Sequence, residues 1–322
     1  MQMNHNVQLI LGTMTFGQQV FDEEAVEMVQ KYLSYGYNEL DTAYVYNEGD
    51  CELLLGRILK KFPDENISVS TKVNPRITGK LDRTSIVSQF SESLHRMDID
   101  SVKTLYLHFP DPATPLEETL ETCNDLYCKE LFQEFGLSNF SAEDVEKIVH
   151  LCEENGWIIP TVYQGVYNVF SRRVEASLFS IVRKYGMRYY AYNPLAGGIL
   201  TGRYDNSTSA PTTGRFTFRP NYQNRYWKES YFTGLNIVRE QCFKHDIPLA
   251  EAALRWLAFH SEMIKSKDNG ILIGASKMSH LEQNIQSISK GKLPEDVVEA
   301  YNQAWNLCKD DSPEYYRLAN KK

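Results

Sequence analysis

The apolar positions of this chain fall into short runs, separated by stretches with a helical period, and the two kinds alternate almost from end to end. Val7-Gln8-Leu9-Ile10-Leu11 predicts a strand, which Gly12 ends before a loop containing Gly17. Over Asp22 to Tyr35 the residues Ala25, Val26, Val29 and Leu33 recur at helical spacing, and Gly36 supplies the stop. Glu39-Leu40-Asp41 enters a second strand, Leu53 to Leu59 is helical in pattern, and Ile67 to Lys72 alternates as a third strand. Asp82 to Arg96 is amphipathic, with Ile86, Val87, Phe90 and Leu94 on one side. Leu105 to His108, Phe135 to Leu137, Val162 to Gln164, Arg188 to Tyr192 and Ile271 to Ile273 supply the remaining strands. Thr114-Pro115-Leu116-Glu117 reads as an N-cap, a proline at the first helical position and a capping-box glutamate, opening a helix to about Lys129. Further helices are predicted from the cap Ser141 to about Glu154, and over Val174 to Tyr185, Tyr231 to Lys244, Leu249 to Phe259 and Ser279 to Ile288. Val297, Val298, Tyr301, Trp305 and Cys308 mark a final one.

From Asn193 to about Ser230 the pattern lapses. Gly197, Gly198, Gly202, Pro211, Gly214 and Pro220 lie there, and the stretch is too long for an ordinary connection, so it reads as a functional loop. Eight strands, each followed by a helical segment, predict a parallel sheet closed into a (β/α)8 TIM barrel. The expected organisation is one domain over residues 1–322, with a cofactor and substrate loop at 193–230 and a C-terminal tail at 309–322. An open doubly wound sheet is the alternative. Its first turn needs G-x-G-x-x-G, which Gly12-Thr13-Met14-Thr15-Phe16-Gly17 lacks.

Composition narrows the class. The 322 residues are 42% hydrophobic and 24% charged, as in ordinary globular chains, and a chain this long needs no disulfide or metal staple. The net charge is -8, with lysines and arginines scattered, which argues against nucleic-acid or membrane partners but leaves room for a local basic pocket. Cys51, Cys123, Cys128, Cys152, Cys242 and Cys308 form no C-x-x-C pair and no zinc spacing, so reduced thiols in a cytoplasmic protein are expected. Met1 to Asn6 is polar, and no apolar run approaches the roughly 20 residues of a membrane span.

In a barrel, residues just past the strand ends share one face, and active sites sit there. Asp41, Lys72 and His108 all close predicted strands, and Tyr46 follows Asp41 by five positions. Singly, each has a bland reading: a loop cap, a solvated lysine, a core histidine, a packing tyrosine. Together they suit carbonyl reduction, in which carbon takes a hydride and oxygen takes a proton from a donor within hydrogen-bond reach. A free phenol has a pKa of about 10. An ammonium about 4 Å from it interacts with the phenolate by roughly 4 kcal/mol at an effective dielectric of 20, so Lys72 is expected to pull the Tyr46 phenol down toward neutrality. Asp41 keeps that ammonium charged and aimed, and neutral His108 donates to the substrate oxygen. No metal is needed.

The motifs G-Y-N-E-L-D-T-A-Y-V-Y (Gly36 to Tyr46), S-T-K (Ser70 to Lys72) and L-Y-L-H-F-P-D (Leu105 to Asp111) together resemble the aldo-keto reductases. G-L-S-N-F (Gly136 to Phe140), Y-N-P-L-A-G-G-I-L-T-G (Tyr192 to Gly202) and the ending S-P-E-Y-Y-R (Ser312 to Arg317) are similar to the aflatoxin-aldehyde reductase branch. The resemblance implies an NADPH-dependent reductase of the kind used in detoxification, with Asp41, Tyr46, Lys72 and His108 as its tetrad. It implies that Ser138, Asn139 and Gln164 hold the nicotinamide carboxamide and that the ring stacks on Tyr192. Asn193, Leu195, Gly197, Gly198 and Arg203 fall on the loop that wraps the pyrophosphate, and Ser276, Lys277, Gln283 and Asn284 on the adenosine end. Lys277 departs from the branch, and with Arg215 it is expected to contact the 2′-phosphate. Gln18 and Gln19 stand where the branch carries arginines, which leaves Arg225 and Arg317 as anion contacts and Met14, Phe16, Tyr46, Phe109 and Trp227 as an apolar pocket lining. The expected partner is a small aldehyde or ketone, with a homodimer as the form the branch suggests. The competing roles are an NADPH-binding, redox-sensing accessory subunit with slow turnover, and a lyase or isomerase barrel without nicotinamide.

Overall fold

Each of eight strands runs parallel to the next and the last pairs with the first, so the sheet has no edge. This is seen in a computed structural model that describes residues 7–208, 211, 214–219 and 221–317. Pro220 and the two ends of the expected domain, 1–6 and 318–322, lie outside the described residues. The chain runs β1 (Val7–Gly12), α1 (Asp22–Ser34), β2 (Glu39–Asp41), α2 (Asp50–Leu59), β3 (Ser68–Val73), α3 (Pro75–Thr78) and α4 (Arg83–Met97). It continues through β4 (Val102–Leu107), α5 (Leu116–Cys128), β5 (Phe132–Ser138), α6 (Ala142–Asn155), β6 (Pro160–Val166), α7 (Leu178–Lys184) and β7 (Arg188–Tyr192). Then come α8 (Arg215–Phe218), α9 (Asn221–Tyr226), α10 (Glu229–Lys244), α11 (Leu249–Phe259), β8 (Asn269–Gly274), α12 (Met278–Ser289) and α13 (Glu295–Cys308). All eight predicted strands are present, and the fold is the (β/α)8 barrel that the alternation predicts.

Side chains fill the barrel. Ile10, Tyr106, Val162, Tyr190 and Leu272 form a cluster inside it, apart from the main core between sheet and helices. Glycines make room for this plug: a Cβ on Gly136 would lie 2.3 Å from the Tyr106 ring, and one on Gly270 would lie 2.2 Å from Ile10. Polar groups close the N-terminal end, where Tyr190 and Lys103 both donate to Glu39 Oε2, at 3.3 and 2.7 Å, and Arg188 pairs with Glu134. With that end sealed, the C-terminal end is the one left for a ligand.

Local differences from the expectation have physical causes. Ser141 does cap α6, in a capping box with Asp144. Thr114 does not cap α5, because its hydroxyl donates to Asp111 Oδ2 at 2.6 Å, and Pro115 takes the cap position instead. The segment expected as one helix over Val174 to Tyr185 is a 3-10 turn at Arg173–Ala176 followed by α7. The loop at 193–230 holds a 3-10 turn at Ala196–Thr201 and the short helices α8 and α9, and α10 begins at Glu229 rather than Tyr231. Among the described residues no helix is long and apolar enough to cross a membrane.

Candidate active site

Parallel registration sets the strand-end side chains around one mouth. Gly12 pairs with Asp41, Asp41 with Ser70, Lys72 with Tyr106, and Ser138 with Gln164. Backbone bonds carry the order one step past the strands: Thr42 N–H donates to Ser70 O, Tyr44 N–H to Lys72 O and His108 N–H to Val73 O. Asn139 Nδ2 then donates to the His108 carbonyl at 2.9 Å. Tyr46 follows in a 3-10 turn made tight by Asn47 and Glu48, both at positive φ, and Asn47 is tied down by donating to Met14 O and Phe16 O.

The structure brings Asp41, Tyr46, Lys72 and His108 together. Lys72 Nζ donates to Asp41 Oδ1 and to Thr42 O, each at 2.6 Å, with the lysine side chain 0% and the aspartate 2% exposed. The ammonium stands 5.4 Å from the centre of the Tyr46 ring and the same distance from that of Tyr106. Tyr46 and His108 meet edge to face at 6.1 Å. Gln164 Nε2 donates to the other aspartate oxygen at 2.8 Å. Burial lowers the Lys72 pKa, and Asp41 opposes that shift. Burial, then Lys72 and Arg76, hold His108 well below its ordinary value, so the ring is neutral.

The expected acidification of Tyr46 is not found. Burial first and the Asp41 carboxylate second push its phenol well above the ordinary value. Lys72, held on Asp41 at 2.6 Å, does not offset them. Donation survives this, because an alkoxide approaches the basicity of hydroxide, whose conjugate acid has a pKa of about 15.7.

A cavity of about 600 Å³ opens here, lined by Asp41, Tyr46 and His108. Ser138, Asn139, Gln164, Tyr192, Asn193, Leu195, Gly197, Gly198, Arg203, Arg215, Ser276, Gln283 and Asn284 also line it, as do Met14, Phe109, Arg225 and Arg317. Its wall carries Arg76, Arg203, Arg215, Arg219, Arg225 and Arg317 against one carboxylate, Asp41, which is already paired. Six guanidiniums at one mouth of a chain with net charge -8 form the local basic pocket, and they fit an anionic ligand. Gly197 and Gly198, at φ +69° and +112°, present bare backbone to the same wall, and nothing lies within 4 Å of where a Gly198 Cβ would stand. These features fit the pyrophosphate of a dinucleotide.

Three of the residues expected to contact cofactor or substrate are not on the wall. Phe16 is buried in the core at 1% exposure. Trp227 packs among Tyr204, Phe216 and Phe232 and donates from Nε1 to Ser207 O at 2.9 Å. Lys277 is exposed at the start of α12, whereas Arg215 lies against Met14 Sδ at 3.6 Å and 5.5 Å from the Tyr222 ring centre. Asn139 faces the cavity largely committed: Nδ2 donates to His108 O and to Ser138 Oγ, and Oδ1 accepts from the Tyr192 hydroxyl at 2.7 Å. Sequence reasoning passed over Asn74, Arg76, Arg219, Tyr222 and His280, all on the wall. The rule that strand ends carry the site reaches Asn74 and Arg76, just beyond β3, while Arg219, just after α8, and Tyr222, in α9, lie where the sequence has no periodic signal.

Comparison with known proteins adds a second line. The model of the Aldo/keto reductase family matches residues 8–306. The chain is 39% identical over 319 residues to human Aldo-keto reductase family 7 member A3, covering 96% of each chain. It is 40% identical to Aflatoxin B1 aldehyde reductase member 2 of Mus musculus, over 96% of this chain and 87% of that one. With human Aflatoxin B1 aldehyde reductase member 4 the identity is 38%, over 95% and 96%.

Proposed function

The chain belongs to the aldo/keto reductase family, and from that premise we propose that it reduces aldehydes or ketones to alcohols with NADPH, Tyr46 being the proton donor. Bound NADPH supplies the hydride that the carbonyl carbon accepts. The protein's part is to hold the carbonyl and to manage the proton. His108, neutral and on the cavity wall, donates a hydrogen bond to the carbonyl oxygen as negative charge develops on it. Tyr46 transfers its phenolic proton to that oxygen, completing the alcohol and leaving a phenolate, to which solvent returns a proton. Lys72, 5.4 Å from the phenol ring, faces the phenolate while it lasts, and Asp41 and Thr42 O keep the ammonium in place. Gln164 steadies Asp41 and keeps its amide oxygen for the carboxamide; Ser138 and Tyr192 complete that end. Gly197, Gly198 and Arg203 take the pyrophosphate, and Ser276, Gln283 and Asn284 the adenosine side.

The observation that carries this reading is the buried Asp41–Lys72 pair under the Tyr46 ring, with a neutral imidazole across the same cavity. The relatives' names point to reactive aldehydes as the first substrates to try. NADPH oxidation measured against a panel of aldehydes, 4-nitrobenzaldehyde included, is the test. Tyr46→Phe should lose about 10²–10⁴-fold in kcat while NADPH affinity stays within a factor of about two. A Tyr46→Phe protein that turns over at the parental rate removes the proposed acid.

A further inference from the structure

His108 has two ring nitrogens, and only a proton on the one facing the substrate lets the neutral ring donate. The protein partner of this ring is Asn74, just beyond β3, whose amide Nδ2 lies 3.2 Å from His108 Nδ1. Either group could donate across such a contact if the asparagine amide were free to turn over. It is not free. Asn74 Oδ1 accepts the backbone N–H of Arg76 at 2.9 Å as the N-cap of α3, and Pro75 fixes the turn between them. Its own N–H donates to Gln89 Oε1 at 2.8 Å, and the residue is 2% exposed. Turning the amide over would set its NH2 against the Arg76 N–H, losing the helix cap at about 0.5–2 kcal/mol and leaving the NH2 of the buried Asn74 facing a donor. The carbonyl oxygen therefore stays on the cap, the NH2 group stays on the imidazole, and Nδ1 can only accept.

Resting on the reductase reading above, we infer that Asn74 is a positioning residue: through the Arg76 cap it holds His108 as the neutral Nε2–H tautomer, leaving that N–H as the donor to the carbonyl oxygen. Phe109, stacked on the ring at 4.8 Å, fixes its plane. The charged and titratable groups that face the ring are Lys72 from β3, Arg76 from α3 and Tyr46 beyond β2; the two cations oppose a second ring proton, so the neutral form is kept. A carboxylate at Asn74 would reverse this. In Asn74→Asp one oxygen still caps Arg76 and the other faces Nδ1, which must then carry a proton.

The test reads the tautomer first and activity second. With ¹⁵N-labelled histidine, the signals that disappear in His108→Gln identify His108. In the wild type they should show a pyridine-type δ nitrogen and a pyrrole-type ε nitrogen between pH 6 and 8, and Asn74→Asp should turn the δ nitrogen pyrrole-type. Activity should separate by pH. The added carboxylate raises the His108 pKa, so below it the ring carries both protons and still donates. Above it the proton stays on Nδ1 and the donor is lost. Asn74→Asp should thus lose about 10²–10³-fold in kcat at pH 8 and recover part of it toward pH 6, whereas wild type shows no such limb. A pyrrole-type δ nitrogen in the wild type overturns the inference whatever the turnover, and that reading does not depend on Asn74→Asp folding. A pyrrole-type ε nitrogen in a protein that reduces no carbonyl would leave the tautomer assignment standing and sink the reductase reading.

Discussion

Removing the positive half of the buried pair should damage the fold more than removing the negative half. In Lys72→Met the side chain keeps nearly its volume, but Asp41 loses its 2.6 Å ion-pair partner and keeps only Gln164 Nε2, while Thr42 O loses its donor. The rings of Tyr46 and Tyr106 flank the place the ammonium leaves. Breaking a buried pair in this way costs about 3–5 kcal/mol, against about 0–1 kcal/mol for an exposed one. In Asp41→Asn the new amide still offers an oxygen to Lys72, and Thr42 O still accepts. The ammonium loses its counter-charge but keeps both oxygens and, with burial already lowering its pKa, can shed a proton; with two amide NH2 groups in conflict until Gln164 turns over to present its oxygen, a cost of about 1.5–3 kcal/mol is expected. The double variant leaves no uncompensated charge and should cost less than the sum of the two by about 0.5–3 kcal/mol. Urea unfolding of the four proteins at pH 7, followed by tryptophan fluorescence, measures all three quantities. A Lys72→Met cost under about 1 kcal/mol, an Asp41→Asn protein the weaker of the two, or strict additivity would each refute the reasoning.

Further consequences follow from the same structure. Gly136→Ala puts a methyl 2.3 Å from the Tyr106 ring, and the barrel should lose about 1–3 kcal/mol in urea unfolding. Burial pushes the Cys51 thiol up to about 11 and those of Cys152, Cys242 and Cys308 up to about 12, while Cys128 is exposed. A maleimide should therefore label Cys128 quickly in the native protein at pH 7.5 and all six thiols in urea, read by mass spectrometry. If NADPH is the cofactor as proposed, six guanidiniums at the mouth should make its affinity salt-dependent, with a Kd by fluorescence titration that rises between about 50 and 500 mM NaCl. Lys277→Ala should leave that Kd within about twofold, whereas Arg203→Ala, on the wall, should weaken it by tenfold or more.

The barrel was legible because it repeats: eight apolar runs separated by helical periods admit few parallel arrangements, and every strand lies where the runs predicted it. The convergence of Asp41, Lys72 and His108 was legible for the same reason, since strand ends of a parallel barrel share a face whatever the loops do. What escaped depends on contacts that no local pattern carries. Thr114 has the sequence of a cap, but its hydroxyl goes to Asp111, whose carboxylate is itself held by the N–H of Leu81 from another loop. Trp227 reads as pocket lining until three aromatic neighbours enclose it. Tyr46 shows the limit most plainly. Lys72 was named correctly as its neighbour, yet burial and the Asp41 carboxylate paired with that lysine outweigh it, and neither depth nor pairing is written in a local pattern. Asn74 is the opposite case: Asn-Pro directly after β3 is a readable N-cap, and the cap fixes which way the amide faces. A residue's type told what it could donate, but the partner already bound to its other side decided what it does donate. Asn74, Asn139 and Gln164 line the cavity with part of their hydrogen-bonding capacity already committed inside the protein, and that commitment orients what remains.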